Sequence, residues 1–227
     1  MSLGEYTADQ LYDMILHPET LKSYPGFKLA LEMGIANNMA FYHDLPYEEI
    51  KQFVGEEKEA IFRNIPAEIV ADNEVTWEHV GSTSIKGMPG TLFPDSLILY
   101  KKYPPPREVF EALMSSGFVF IGAGPLDPAD LWFLKKISRE GSRLDSQIYK
   151  IHLTPCTLGA SQLLIETRDR CNNNPADFED YKNAKVAAAV HLQDNNVMGY
   201  KGAKCQSKLL KELSQKYGIK QAGPPKQ

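Results

Sequence analysis

The stretch WEHVGSTSIKGMPGTLFPDSLILY, residues 77–100, constrains the fold more than any other part of the chain. Its two apolar runs predict strands at residues 74–80 and 96–100, the second rich enough in Leu and Ile to be buried. Between them lie a glycine, two hydroxyl residues and a turn that contains Gly and Pro. The pattern puts Gly81, Ser82 and Thr83 at the mouth of one strand and Asp95 at the start of its neighbour. This geometry can hold a phosphate and a metal ion.

A phosphate cradle is one interpretation of the Gly81-Ser82-Thr83 step. Glycine lets a ligand approach the backbone closely, the amides that open the next turn can point at an anion, and the Ser82 and Thr83 hydroxyls add donors. The other interpretation is an ordinary turn and cap, because such triplets are common in turns. The segment is not a Walker loop, since no Gly-Lys-Ser or Gly-Lys-Thr follows.

Asp95 opens an apolar strand, where a carboxylate is costly unless it is hydrogen-bonded, metal-bound or solvent-facing. The alternative is that Pro94-Asp95 is simply a turn. Two-metal phosphoryl chemistry usually needs two converging carboxylates, yet the next residue on the same strand face is Leu97. A second acid would have to come through the fold, and the candidates are Glu78, Asp145 and Asp169.

Length and charge bound the class of protein. A chain of 227 residues with 43% hydrophobic and 24% charged residues is typical of a globular protein with one substantial folding unit. Its formal net charge of -4 gives no global attraction to nucleic acid, so a polyanion site would have to be a local basic patch. We therefore expect no long nucleic acid as a partner.

Cysteine usage and the apolar runs indicate a compartment. Cys156, Cys171 and Cys205 are far apart, odd in number and form no CxxC pair, which argues against a disulfide framework and a structural zinc site. No uninterrupted apolar run approaches the roughly 20 residues that span a bilayer, and the N-terminus lacks the regions of a signal peptide. We expect a cytoplasmic protein in a reducing compartment, without a membrane partner.

Helical patterns flank the predicted strands. Thr7 and Gln10 predict a capping box for a helix to about Leu16, and residues 27–38 predict a second helix. Pro46 opens a third, and the segment PPPREVFEALMSSG predicts a fourth that ends at Gly117. We assign residues 1–40 to an N-terminal helical extension, 41–217 to the main domain and 218–227 to a flexible tail.

The second half of the domain combines strands with helices. FVFIG predicts a strand, and LWFLKKI and SQIYKIHLTP predict two strands joined by a polar turn. Three helical segments follow, namely ASQLLIETRDRC, PADFEDYKNAKVAAAVHLQ and YKGAKCQSKLLKELSQKYG. We predict that the aromatic residues of this half pack in the core, and these are Trp132, Phe133, Phe118 and Phe120.

Two aromatic and lysine pairs stand at helical spacing. Tyr181 with Lys185, and Tyr200 with Lys204, are four residues apart and so share a helix face, which suits a nucleotide phosphate or base. The alternative is a solvated face on which lysine stems cover tyrosine rings.

Two further residues could bind a phosphate. Strand alternation puts His152 on the face of Lys150, where it could bind a metal or a phosphate; a hydrogen-bonded structural role is the alternative. Arg168 could bind a phosphate as a bidentate fork or pair with Asp169, Glu166 or a neighbouring helix. The other four histidines, His17, His43, His79 and His191, show no recurring ligand spacing, and we predict structural or exposed positions for them.

The segment HVGSTSIKGMPGTLFPD resembles the signature of the GrpB family, a branch of the nucleotidyltransferase superfamily. The resemblance extends over about residues 42–213 and includes YKIHLTP, ETRDRCNNNPADFEDYKNAK and YKGAK in the expected order. It implies an α+β fold with a nucleotidyltransferase-like mixed sheet flanked by helices, and a helical C-terminal region.

The resemblance also implies positions for site residues. Gly81 and Ser82 take the phosphate-facing turn and Asp95 the metal position, with the other cleft residues being His152, Arg168, Asp169, Tyr181, Lys185, Tyr200 and Lys204. Two departures stand out. Thr91-Leu92 replaces the Lys-Pro pair that we expect a few residues before the aspartate, and the superfamily's second strand carboxylate is absent.

Three functions compete at this point. The first is a nucleotidyltransferase that binds a nucleoside triphosphate, with Mg2+ or Mn2+ on Asp95 and with Ser82 and Asp95 as catalytic residues. The second is a module that binds a nucleotide or another phosphorylated small molecule without turning it over. The third is a scaffold that contacts other proteins through its C-terminal helices.

Overall fold

A computed structural model describes residues 6–21, 24–26, 28, 40–124, 127–193 and 196–219. Seven strands lie in this part of the chain, and their bounds are β1 Phe41–Tyr42, β2 Thr76–Val80, β3 Gly90–Thr91, β4 Asp95–Tyr100, β5 Val119–Ala123, β6 Leu131–Lys136 and β7 Ile148–Pro155. Helices account for most of the rest. They are α1 Ala8–Leu16, α2 Pro18–Leu21, α3 Tyr47–Phe62, α4 Ala67–Asp72, α5 Arg107–Ser115, α6 Gly159–Asn173, α7 Pro175–Ala188, α8 Val190–Gln193, α9 Val197–Lys204 and α10 Lys208–Lys216.

Five strands form a mixed sheet in the order β2-β4-β7-β6-β5. The pairing of β4 with β7 is parallel and the other three pairings are antiparallel. A separate two-stranded ladder joins β1 to β3. The described chain therefore has the α+β class and the mixed, helix-flanked sheet that the resemblance implied.

One face of the sheet carries the main core. Side chains such as Ile98, Phe133 and Ile151 alternate onto this face and pack against Phe53 of α3 and Phe110 of α5. Leu11 and Ile15 of α1 belong to the same cluster, so the N-terminal helix is part of this core.

The opposite face carries the polar residues of interest. On it, Val80, Leu97 and Leu99 pack against Leu164 and Ile165 of α6. The same alternation brings Asp95, Lys150, His152 and Trp132 to this face. Helix α6 thus covers the β2 and β4 side of the face, and the polar residues lie beside the part that it covers.

Most predicted elements are confirmed within a residue or two. The capping box is present, because the Thr7 hydroxyl accepts from Gln10 N at 3.2 Å and Thr7 N donates to the Gln10 side chain at 2.8 Å. The predicted strand at residues 74–80 begins only at Thr76, since Glu74 lies in a turn with φ of 49°. Residues 27 and 29–38 of the second predicted helix lie outside the described residues, as does the tail from residue 220.

The prediction of one continuous last helix is wrong. The chain turns at residues 205–207, and the Ser207 hydroxyl caps a new helix by accepting from Leu210 N at 3.1 Å. The turn lets Leu209, Leu210 and Leu213 pack against Ile85 and Tyr181, which a straight continuation of α9 would not allow. The preceding helical segment is likewise divided, at Ala189, into α7 and α8.

None of the described helices combines the length and the apolarity needed to cross a bilayer.

Candidate functional site

The bend at Gly81 and the Asp95 carboxylate face each other. Val80 pairs directly with Asp95 in the sheet, and Gly81 follows with φ of 74°, in the region that favours glycine. A Cβ at residue 81 would lie 2.9 Å from Asp95 Oδ2. The neighbouring positions that the sequence predicted for the bend and the acid are therefore confirmed.

The three hydroxyls after Gly81 have different surroundings. Thr83 is buried with its Oγ1 3.0 Å from His79 Nε2, and Ser84 Oγ donates to Gly81 O at 2.7 Å. Ser82 is half-buried, and its Oγ has no hydrogen-bond partner among the described residues. Both Ser82 Oγ and Lys185 Nζ lie beside Gly90, 2.7 and 2.9 Å from where a Cβ of that residue would be. Ser82 is thus the hydroxyl of the three that remains available to a ligand.

Lys185 lies buried at the centre of the C-terminal helices. The side chain is 1% exposed, and Nζ donates to the Tyr200 hydroxyl at 3.1 Å. It also lies over the rings of Tyr181 and Tyr200, with Nζ 5.3 and 5.7 Å from their centres. Within the described part of the chain Lys185 has no ion pair. Burial lowers the pKa of Lys185 well below its ordinary value, the charge of Lys204 lowers it further, and Asp95 partly restores it.

Both predicted aromatic and lysine pairs meet around this ammonium. Lys204 Nζ lies 5.6 Å from the centre of the Tyr200 ring, so α7 and α9 each bring a lysine to Tyr200. Burial raises the pKa of Tyr200 to about 12, so its hydroxyl keeps its proton at neutral pH. The solvated-face alternative does not describe Lys185, Tyr181 or Tyr200, which are all buried.

Two further lysines complete the positive charge. Lys150 Nζ lies 3.7 Å from Asp95 Oδ1 and only 3.9 Å from the centre of the Trp132 ring. Lys201 is exposed at the rim, yet burial of its ammonium lowers the pKa, the charges of Lys150 and Lys204 lower it further, and Asp95 raises it. The exposed position makes Lys201 accessible to a ligand. Lys150, Lys185 and Lys201 therefore interact with the Asp95 carboxylate, and Lys204 adds its charge beside Lys185 and Lys201.

His152 is held from behind by a buried acid. Its Nδ1 lies 2.9 Å from Asp130 Oδ1 and 3.2 Å from Oδ2, and Trp132 Nε1 donates to Asp130 Oδ2 at 2.7 Å. Burial raises the pKa of Asp130, but the His152 ring, the Trp132 N–H and the Lys150 charge outweigh it, so the pKa is lowered overall. The second ring nitrogen of His152, Nε2, faces Asp95 Oδ1 at 4.0 Å.

Arg168 and Asp169 lie in a network at the edge of the sheet. Arg168 NH1 donates to Glu78 Oε2 at 2.5 Å and to His79 O at 2.9 Å, and its Nε donates to Asp169 Oδ1 at 2.8 Å. The guanidinium is thus shared between two carboxylates and a carbonyl. Its role as a substrate ligand stays a prediction, and the salt bridge to Asp169 that the sequence offered as the alternative is present.

Comparisons with known proteins identify the family of the chain. A family model described as GrpB protein matches residues 45–216, about three quarters of the sequence. The chain belongs to the GrpB family. No curated protein matches the chain. Among solved structures, the crystal structure of the conserved protein GrpB from Enterococcus faecalis is similar with a TM-score of 0.54 at 16% identity, covering 78% of this chain and 99% of that one. At that identity the likeness concerns the fold alone.

The GrpB resemblance led to Asp95, His152 and the lysines of α7 and α9, but sequence reasoning missed three residues of the cleft. Asp130 precedes β6 in the segment DPADLW, and Lys201 lies next to the predicted Tyr200. Trp132 was predicted to be core together with Phe118, Phe120 and Phe133. The three phenylalanines are core, whereas Trp132 is half-buried on the opposite face beneath Lys150. Strand alternation from the sequence predicted Lys150 on the face of His152, and the structure places it there.

The donor set of this GrpB protein fits a metal ion only in part. Asp95 and His152 Nε2 are close enough to approach one ion, but no group of three or more His, Cys, Asp or Glu side chains converges within the described residues. Glu78 and Asp169 pair with Arg168, and Asp145 Oδ1 accepts from Arg139 N at 2.7 Å, so none of the three predicted second acids joins Asp95. A metal here would depend on a ligand's phosphate oxygens for most of its coordination.

Proposed function

We propose that the cleft of this GrpB protein binds a phosphorylated small molecule, such as a nucleotide, through its lysines. The observation that carries the proposal is the Lys185 ammonium, which is buried beside Ser82 Oγ without an ion pair among the described residues. A buried cation costs several kcal/mol unless it is paired, so its retention indicates a partner that the protein does not itself supply. An anion next to Ser82 and Gly90 would be that partner.

The surrounding charges favour an anion that carries several negative charges. Lys150, Lys201 and Lys204 add three cations, and Asp95 is the acid whose charge acts on Lys185 and Lys201. A single phosphate oxygen would not neutralise this set, whereas a diphosphate or triphosphate would. Lys185 also supplies a cation beside Gly90, next to Thr91, where the Lys-Pro pair of the family resemblance is missing.

Proton uptake is expected when the anion binds. Burial lowers the pKa of Lys185 in the free protein, and an anion at Nζ raises the pKa again. Binding should therefore take up a proton at a pH between the pKa values of the free and the bound protein, and the affinity should fall as the pH rises through that interval.

Calorimetric titration tests the proposal. Inorganic pyrophosphate and then ATP, GTP, CTP and UTP are titrated without metal in buffers of different ionisation enthalpy. We expect binding with proton uptake in the wild type and in Lys182→Met, whose lysine pairs with Glu179 on the outer side of α7. Lys185→Met should lose both the uptake and most of the affinity. Absence of binding by every probe would reject the proposal and favour the scaffold function.

Metal-dependent nucleotidyl transfer is the second candidate. It is favoured by the Asp95 carboxylate, which faces the bend where the resemblance places the phosphate. Asp95 would hold Mg2+ or Mn2+ together with phosphate oxygens, and the ion would neutralise charge on the transferred group. Release of pyrophosphate from a nucleoside triphosphate, dependent on either ion, would support it, and binding without release would count against an enzyme.

A further inference from the structure

His152 presents one fixed ring nitrogen to the cleft. Its Nδ1 lies 2.9 Å from Asp130 Oδ1, and the ring packs edge-on against Trp132 with 5.5 Å between the ring centres. Asp130 is in turn held by the Trp132 indole N–H, and both His152 and Asp130 are more than nine-tenths buried. Fixing one nitrogen of a histidine sets the orientation of the other. The direction of Nε2 is therefore determined by buried groups.

Nε2 itself lacks a hydrogen-bond partner in the described structure. The 4.0 Å that separate it from Asp95 Oδ1 are too long for a hydrogen bond. The side chain is only 6% exposed, yet Nε2 is not among the fully buried atoms without a partner, so it is open to water or to a ligand. Small polar groups of a ligand can therefore bond to Nε2 and to Asp95 beside it.

The neighbouring charges determine which chemical group of a ligand can bond beside Nε2 and Asp95. A phosphate oxygen would be repelled by the Asp95 carboxylate, and a further ammonium would be repelled by Lys150, 3.7 Å from the same Oδ1, and by Lys201. A neutral hydroxyl avoids both repulsions. The Asp130 carboxylate keeps a proton on Nδ1, which leaves Nε2 of a neutral ring as an acceptor. One hydroxyl of a ligand can then donate to Asp95 and a neighbouring hydroxyl can donate to Nε2, because a single O–H proton serves only one of them.

We propose that Asp95 and His152 form a subsite for neighbouring hydroxyl groups of the phosphorylated ligand. The inference rests on the proposed function, because the phosphate is held by the lysines while the hydroxyls sit at this pair. A single carboxylate connects the two places: Oδ2 faces the Gly81 bend and Oδ1 faces His152. The ligand class is therefore a phosphorylated sugar or polyol, in which a nucleotide's ribose is included, rather than a bare polyphosphate.

Two matched probes separate this inference from the proposed function. sn-Glycerol 3-phosphate and n-propyl phosphate carry the same phosphate and the same number of carbons, and differ only in the two hydroxyls. We expect the wild type to bind glycerol 3-phosphate about tenfold more tightly, because a site built to bond a hydroxyl discriminates against its absence. His152→Phe should bring the ratio of affinities close to one while n-propyl phosphate still binds.

Control variants make the outcomes distinct. Asp127→Asn alters an acid in the same loop as Asp130 that accepts from Ala129 N, and it should keep the wild-type ratio. Equal affinity of the wild type for the two esters would overturn the hydroxyl subsite and leave the phosphate site standing. A preference that survives in His152→Phe would overturn the role of His152. If neither ester binds although pyrophosphate does, the lysines bind a polyphosphate alone and the hydroxyl subsite is overturned. If pyrophosphate and the nucleotides fail to bind as well, the proposed function fails and this inference fails with it.

Discussion

Asp95 Oδ2 lies 2.9 Å from the point that a Cβ would occupy at residue 81, so the carboxylate fills the space that Gly81 leaves open. The contact is possible because Gly81 has no side chain and because its φ of 74° turns the backbone away from β2 just as β4 begins opposite. The bend and the acid therefore depend on each other. A side chain at residue 81 would displace the carboxylate on which both the bend and His152 converge.

Gly81→Ala tests this dependence. The substitution combines a left-handed φ with a contact to Asp95, and we expect the free energy of unfolding to fall by about 1–3 kcal/mol. Gly55→Ala is the matched control, because nothing lies within 4 Å of a Cβ at that position in the interior of α3. It should raise the unfolding free energy by about 0.5–1 kcal/mol. Urea denaturation of both variants measures these changes. An unchanged free energy of unfolding in Gly81→Ala would contradict the proposed packing.

Lys185→Met should make the free protein more stable. Because burial lowers the pKa of Lys185, the unfolded chain binds a proton more tightly, and the folded state is penalised below the ordinary lysine pKa. Replacing the lysine by a methionine of similar length removes that penalty, and we expect a gain of about 1–3 kcal/mol at pH 7. Thermal unfolding measures it, with Lys182→Met within about 0.5 kcal/mol of wild type. A destabilised Lys185→Met would indicate a structural lysine instead.

Asp95→Asn should separate metal-dependent from metal-free binding. Removing the negative charge that acts on Lys150, Lys185 and Lys201 should strengthen pyrophosphate binding in EDTA, by about 1 kcal/mol. Any added affinity from Mg2+ or Mn2+ should be lost, and stability should change little because Asp95 is only partly buried. Calorimetry with and without metal measures both effects, and Asp72→Asn on the exposed side of α4 is the control. Full retention of a metal effect would remove the metal role of Asp95.

His79 should make the fold sensitive to acid. Burial lowers the pKa of His79 to about 4, Asp95 partly raises it and Arg168 lowers it further. Between pH 6.5 and 4 the unfolded chain binds more protons at this residue, so stability falls as the pH falls through that window, by at most about 3 kcal/mol. His79→Gln, which can still bond to Thr83, should lose less stability between pH 7 and 4.5 in urea denaturation. His17→Gln, at an exposed position, should behave as wild type; equal losses in all three would reject the assignment.

Local patterns were enough to predict the sheet and the bend. The alternation in YKIHLTP placed His152 and Lys150 on one face and Ile151 and Leu153 on the other, because side-chain direction in a strand depends only on position. The four-residue spacing of Tyr181 and Lys185 likewise placed both on one side of α7. The single last helix was wrong because propensity does not reveal that Ser207 caps a new start.

Those local patterns could not predict contacts between segments that are far apart in the sequence. Nothing in DPADLW indicates that Asp130 holds a histidine 22 residues later, since that contact exists only after β6 and β7 pair. The sequence likewise left open whether Arg168 binds a ligand or an acid. The contact with Glu78 forms only because α6 packs beside β2 in the folded chain.

The sequence by itself determined the strands, most of the helices, the facing of His152 and Lys150 and the GrpB family, because these depend on residues close together along the chain. Only the tertiary structure decided which charges meet. It brought lysines from β7, α7 and α9 around one carboxylate and left the Lys185 ammonium buried without an ion pair in the described structure. The physical reason is that the energy of a charge depends on its burial and on its neighbours in space, and neither is set by spacing along the chain.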